Sequence, residues 1–203
     1  MSKKIILCGV GGQGTVLASR LISSAAMKKG WQVMSAETIG MAQRGGSVFS
    51  HLKISEGEKE PLVGPMIGPG EADLIIGFEP GETVRLLPYL KKGGQVVVSS
   101  RAVQPVTSTL SGSSYRAEDM LSFLKEHVSS LVIVDTEKAM EEVGSGKVLN
   151  LILLGAALET GALGLTKEEL TLAIKEKIHP RFHELNFKAL EVGASQSKSY
   201  RKE

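Results

Sequence analysis

The sequence predicts an α/β fold: three layers, a mostly parallel sheet with a Rossmann-like βαβ start, and a C-terminal helical segment. Three observations carry that reading. A buried-looking strand, Lys4 to Val10, runs through glycines straight into a helical pattern beginning at Thr15. Further along, short runs rich in β-branched residues alternate with helical patterns, as in a sheet covered on both faces. Everything after Lys147 up to about Val192 is helical in pattern.

The elements follow in order. The first helix ends near Lys28-Lys29-Gly30, where two cations suit its negative end and glycine stops it. Trp31 to Ala36 reads as the second strand, and Glu37 to Gly46 as a glycine-rich polar loop. Ser47 to Ile54 alternates, with Val48, Leu52 and Ile54 on one face and His51 and Lys53 on the other. Ser55 to Glu71, rich in Gly, Pro and charge, is a long loop. Ala72–Phe78, Gly94–Ser100 and Leu131–Asp135 are strands, with helices at Pro80–Leu90 and Ala117–Val128. Arg101 to Ser114 has no clear period. Thr136–Val143 fits a short helix closed by Gly144. Lys147–Gly161 is apolar nearly all round, so it belongs in the core or at a subunit seam, and self-association of the isolated chain is expected on that ground. Thr166-Lys167-Glu168-Glu169 is a capping box opening a helix to Lys177, and Pro180 starts another reaching about Val192. Residues 1–194 are expected to form one α/β domain, and 195–203 a basic disordered tail.

Composition excludes several functions. Only 4% of residues are aromatic, too few for a platform that stacks single-stranded nucleic acid. The net charge of +2 owes much to Lys198, Arg201 and Lys202, so the body is nearly neutral and no phosphate-backbone footprint is expected. The longest apolar run, Val148 to Leu158, is broken by Asn150 and Gly155 and falls short of a membrane span. Lys3-Lys4 leads into a strand and glycines without a cleavage signal, so the expected location is the cytoplasm. The single cysteine, Cys8, cannot build an iron–sulfur cluster and reads as a small buried hydrophobe.

The candidate sites lie near the start. Gly9, Gly11 and Gly14 have the G-x-G-x-x-G spacing, with Gly12 and Gln13 between. A strand that turns on glycines into a helix leaves backbone N–H groups aimed at whatever sits above the turn, and these favour a phosphate or another anion. The same glycines also permit close helix–strand packing. Glu37 stands where a dinucleotide fold places its ribose-binding acid, and is otherwise a solvated carboxylate. Gln43-Arg44-Gly45-Gly46 presents a fixed positive fork on an approachable backbone, either to an anion or partner carboxylate or simply to water. His179 and His183 have helical spacing, but Pro180 lies between them and no third ligand is near in sequence, so no metal site is expected. No nucleophile elbow or phosphate loop occurs, Gly144-Ser145-Gly146-Lys147 being too short.

Gly9-Val10-Gly11-Gly12-Gln13-Gly14, then Ser35-Ala36-Glu37, then Gln43-Arg44-Gly45-Gly46-Ser47-Val48 with Ser50-His51, in that order and spacing, resemble the small subunits of 2-oxoacid:ferredoxin oxidoreductases. The resemblance runs from Lys3 to about Val192. The Gly-Val-Gly-Gly-Gln-Gly start and the Gln-Arg-Gly-Gly-Ser-Val run resemble most the beta subunit of the indolepyruvate branch. Gamma subunits of the pyruvate-type enzymes typically begin Arg-Gly-Gly-Gln-Gly.

That resemblance implies an accessory subunit in the oxidative decarboxylation of a 2-oxoacid to an acyl-CoA. Coenzyme A is the co-substrate, and electrons pass to ferredoxin through the complex. Thiamine diphosphate with magnesium and the iron–sulfur clusters are implied for a large alpha subunit. This chain is then expected to hold no tightly bound cofactor, no metal and no catalytic residue. Gly9, Gly11, Gly12, Gln13, Gly14, Glu37, Gln43, Arg44, Gly45 and Gly46 become a binding edge facing the alpha subunit, with Arg44 as anion or partner contact and Gln13 as a polar contact above the helix start. Two other readings stay open: a free-standing nicotinamide- or flavin-binding reductase with Glu37 on the ribose, and an interaction module whose glycines only pack.

Overall fold

The computed structural model of the protein describes residues 2–40, 46–57, 61–103 and 115–201. Among these residues seven strands form one sheet: β1 (Ser2–Val10), β2 (Gln32–Ile39), β3 (Ser47–Ser55), β4 (Ala72–Gly77), β5 (Leu90–Ser99), β6 (Ser130–Val134) and β7 (Ser197–Arg201), in the spatial order β2-β3-β1-β4-β5-β6-β7. β1, β4, β5 and β6 pair in parallel, while β3 is antiparallel to both its neighbours β1 and β2, and β7 is antiparallel to β6. The predicted, mostly parallel sheet is therefore correct for five of the seven strand directions, with β3 and β7 reversed.

Among the described residues seven helices cover the sheet: α1 (Thr15–Lys28), α2 (Pro80–Leu86), α3 (Ala117–His127), α4 (Thr136–Val143), α5 (Leu149–Glu159), α6 (Lys167–Lys177) and α7 (His183–Ser195). Alternation along the strands explains the three layers. Ile5, Leu7, Leu74, Ile76 and Val97 face a core shared with α1 and α4 to α7, whereas Ile6, Cys8, Ile75, Val96 and Val98 face a smaller core with α2 and α3. Thr166 and Glu169 form the expected capping box of α6, and Gly144, in the left-handed region at φ 85°, closes α4.

Four expectations change. The tail from residue 195 is not disordered throughout: Ser197 to Arg201 pair in continuous register with Val134 to Ser130. Its alternation of serines with longer side chains suits an edge strand, a pattern that polar composition hides. The loop after β2 starts later than Glu37, because β2 continues to Ile39 and Glu37 pairs with Ser50. His51, expected on a polar face, is fully buried, because both faces of β3 are covered. The apolar helix α5 resolves to core, with Leu149 to Ala157 buried within the chain. The ground for self-association through it falls away. α5 and α7 cross so closely that a Cβ on Gly155 would stand 2.0 Å from the Leu190 carbonyl oxygen, and one on Gly193 1.9 Å from that of Ile152.

Candidate functional site

The carboxyl ends of β1, β4, β5 and β6 form one edge, where open α/β sheets place their ligands. β3 enters at the same edge, since it runs the other way. The glycine turn occupies its centre. Gly12 and Gly14 adopt φ +98° and +85°, a region in which only glycine is free of strain, and Gly12 is exposed with open space around it. Gly14 caps α1 without any side-chain hydrogen bond, and the first turn of α1 contains no acidic residue. That helix start is free to meet an anion.

Much of the turn is nevertheless consumed by the fold. The Gln13 side chain accepts from the Val10 N–H through Oε1 (2.8 Å) and donates from Nε2 to the Phe78 carbonyl (3.0 Å), tying β1 to the end of β4. Gly9 is required by that clamp: a Cβ there would lie 2.6 Å from Gln13 Oε1 and 2.7 Å from Phe78 Cβ. The Gly11 N–H donates to the Gly46 carbonyl at 2.8 Å, which brings the start of β3 onto the turn. Gln43, Arg44 and Gly45 lie outside the described residues. Glu37 is exposed on the edge strand β2 and is not brought to the glycines, because β3 stands between β2 and β1 and Glu37 is level with Leu7 rather than with the turn.

A second cluster borders the turn, unmarked by any sequence motif. Ser47 Oγ donates to Glu82 Oε2 (2.6 Å), and Arg85 bonds both Ser47 and Glu82 while its guanidinium stands half exposed. Behind it, the buried Glu79 caps α2 by accepting from the Glu82 N–H at 2.8 Å and also accepts from the Tyr115 hydroxyl. Tyr115 in turn accepts from the Gly81 N–H at 2.8 Å. Burial, reinforced by the Glu79 carboxylate, raises the Tyr115 phenol well above its ordinary range, so it stays a donor. The one local signal was Pro80, which suits a first helical position and so marks Glu79 as the residue before the helix.

The remaining chemistry-bearing side chains are structural. Burial pushes the Cys8 thiol up to about 12, which leaves it an inert hydrophobe as expected. His183 Nε2 meets the Ile178 carbonyl at 2.7 Å and His179 Nδ1 accepts from the Arg181 N–H, so the pair serves as local caps. Among the described residues no cluster of three or more His, Cys, Asp or Glu side chains has the geometry to hold a metal ion. His51 accepts from the Ile67 N–H through Nδ1, and its Nε2 is buried with no partner among the described residues.

Comparison with known proteins then decides the lineage. The profile of the pyruvate ferredoxin/flavodoxin oxidoreductase family matches residues 4–196. The chain belongs to this family. Within it, the chain is 33% identical over 196 residues to the indolepyruvate oxidoreductase subunit IorB of Thermococcus kodakarensis, covering 96% of this chain and 95% of the relative. The fold is that of the pyruvate oxidoreductase subunit PORC from Thermotoga maritima, with a TM-score of 0.72 at 18% identity over 98% and 99% of the two chains. It is likewise that of part of the 2-oxoglutarate:ferredoxin oxidoreductase from Magnetococcus marinus, solved with 2-oxoglutarate, coenzyme A and succinyl-CoA bound (TM-score 0.72, 17% identity). There the match covers 96% of this chain and 31% of the longer one. No helix among the described residues is long and apolar enough to cross a membrane.

Proposed function

We propose that this chain is the small accessory subunit of an indolepyruvate-type 2-oxoacid:ferredoxin oxidoreductase. The observation that carries the reading is the identity to IorB along nearly the whole of both chains. In this reading a 2-oxoacid is decarboxylated, its acyl group passes to coenzyme A, and two electrons leave to ferredoxin. Thiamine diphosphate would supply the carbanion chemistry and iron–sulfur clusters the electron path. Neither group fits this chain: its one cysteine is buried, and it lacks the Gly-Asp-Gly and asparagine signature for magnesium and thiamine diphosphate. Both are assigned to a large alpha subunit, so the working protein is a cytoplasmic hetero-oligomer.

The contribution of this chain is then to shape the edge of the active site. Gly12 leaves backbone open to close approach, and the uncapped start of α1 suits the pyrophosphate of coenzyme A. Arg44, carried on the Gln43 to Gly46 segment, is assigned to an anion or to a carboxylate of the alpha subunit. Ser47, Glu82 and Arg85 form a polar rim beside the glycine turn. A nicotinamide reductase is disfavoured because Glu37 is not at the turn.

Co-expression with a candidate alpha subunit tests this directly. Dye or ferredoxin reduction with indolepyruvate and coenzyme A should require both chains. Arg44→Ala should lower it about tenfold or more with the complex intact, the loss expected of one charge-assisted contact. Failure to form a complex, together with tight binding of a nicotinamide or flavin by the lone chain, would refute the assignment.

A further inference from the structure

Behind the glycine turn, a cavity of about 270 Å³ opens where the first turns of three helices meet. Leu17 is on the first turn of α1, Asn150 on that of α5, and Leu185 and Asn186 on that of α7. No side chain caps the start of α1, whereas α5 and α7 continue 3₁₀ turns at Gly146–Val148 and Pro180–Phe182 whose starts are capped by Ser145 and His179. The positive ends of three helix dipoles still converge on one space. No acidic side chain lines it, and Lys147, exposed at its rim, has no carboxylate partner among the described residues.

The lining is otherwise apolar, with Leu17, Val148, Ile178, Phe182 and Leu185 as walls. Phe182 is 41% exposed and Leu17 37%, so these walls are not closed over by the rest of the chain. One buried polar group breaks the pattern. Asn150 is only 4% exposed, its backing is Gly14, and its amide has no hydrogen-bond partner among the described residues. An amide this buried ordinarily finds a partner, and here it lines the cavity. Asn186 does not compete for that role, because its Nδ2 is spent on the Phe182 carbonyl at 2.7 Å.

We propose that this cavity binds a small organic anion with an apolar body, of the arylcarboxylate class. The carboxylate takes the Asn150 amide N–H and the Lys147 ammonium under the three helix starts, and the ring fills the apolar walls. The inference shares the start of α1 with the subunit assignment but is tested on the full chain alone, so that either can fail without the other.

Three probes separate the parts of the proposal: phenylacetate, phenylacetamide, which keeps the ring and loses the charge, and inorganic phosphate, which keeps charge and loses the ring. Calorimetry should show saturable phenylacetate binding, with methyl NMR shifts at Leu17, Val148, Ile178 and Leu185. Phenylacetamide should bind at least about fivefold more weakly, and phosphate should leave those methyls unmoved. Lys147→Gln and Asn150→Leu should each weaken phenylacetate by about fivefold or more. Lys147 is exposed, so its variant keeps the test decisive even where Asn150→Leu fails to fold. The proposal is overturned by no phenylacetate binding up to about 10 mM, by shifts confined to other methyls, by equal binding of the amide, by phosphate moving the same methyls, or by a folded Lys147→Gln of unchanged affinity.

Discussion

Gln13 is the residue at which a packing role and a ligand-contact role can be told apart most sharply. Its amide is committed at both ends, to the Val10 N–H at 2.8 Å and the Phe78 carbonyl at 3.0 Å. Gln13→Ala removes both bonds, each worth about 0.5–1.5 kcal/mol net, so the fold should lose about 1–3 kcal/mol. For a chain of this size that lowers Tm by roughly 2–4 °C per kcal/mol. Gly9→Ala should cost a similar amount, since its new methyl would stand 2.6 Å from Gln13 Oε1 and 2.7 Å from Phe78 Cβ. The two changes should be non-additive: once Gln13 is truncated, the Gly9 methyl meets only Phe78 and, less tightly, Thr15, so the double variant should lie short of the sum. Denaturant unfolding of the four proteins measures the cycle. An unchanged Gln13→Ala stability, coupled with loss of complex formation or of coenzyme A affinity, would refute the clamp and return the amide to an outward contact.

Two further outcomes follow from the packing and from one buried base. Gly193→Ala should destabilise by about 1–3 kcal/mol despite a helix-propensity gain of up to about 1 kcal/mol, because the α5–α7 crossing has no room for the methyl. Gly146→Ala, where a Cβ meets nothing within 4 Å, is the control, and equal Tm values for the two variants would contradict the packing argument. Burial, with a smaller push from Lys53, holds the His51 imidazole below its ordinary value. The unfolded chain then takes up the proton first, so the His51 contribution is complete above about pH 6.5 and is lost as pH falls toward the depressed value. Protonation also abolishes the Nδ1 lone pair that accepts from Ile67. Thermal melts across pH 5–8 should show this slope in the parent and a shallower one in His51→Gln; identical slopes would remove His51 from the account.

Local pattern carried most of the fold and less of the site. The capping box at Thr166, the Gly144 stop and the apolar α5 are all encoded within a few residues, and each sits where its residues place it. Strand order is a different kind of information. Nothing in Ser47 to Ser55 says that it inserts between β1 and β2, because that choice is made by partners far along the chain. The polar sequence after Ser195 hid β7 for the same reason, since an edge strand needs a neighbour more than a hydrophobic stripe. Within the site, the glycines were legible because positive φ and close approach demand them. The Ser47–Glu82–Arg85 cluster was not, because it joins two segments separated by 35 or more residues. Asn150 read only as an interruption of an apolar run, and its lack of a partner emerges only in three dimensions.

The insertion of β3 also changes what the glycine motif means. In a dinucleotide fold the acid after β2 reaches the ribose because β2 lies directly beside β1. Here one whole strand separates them, a lateral step of about 5 Å more, and Glu37 is level with Leu7, below the turn. The motif thus keeps its strand, its turn and its helix while losing the partner that would select a nicotinamide ribose. What it retains is backbone exposed at Gly12 and an uncapped helix start, flanked by a half-exposed arginine. In the proposed reading such an edge would recognise charge and accept close approach without specifying a base or a sugar. That is the requirement for a surface completed by a second polypeptide, where the partner supplies the selectivity and the reactive groups. A glycine fingerprint alone cannot separate these two uses; the strand beside it can.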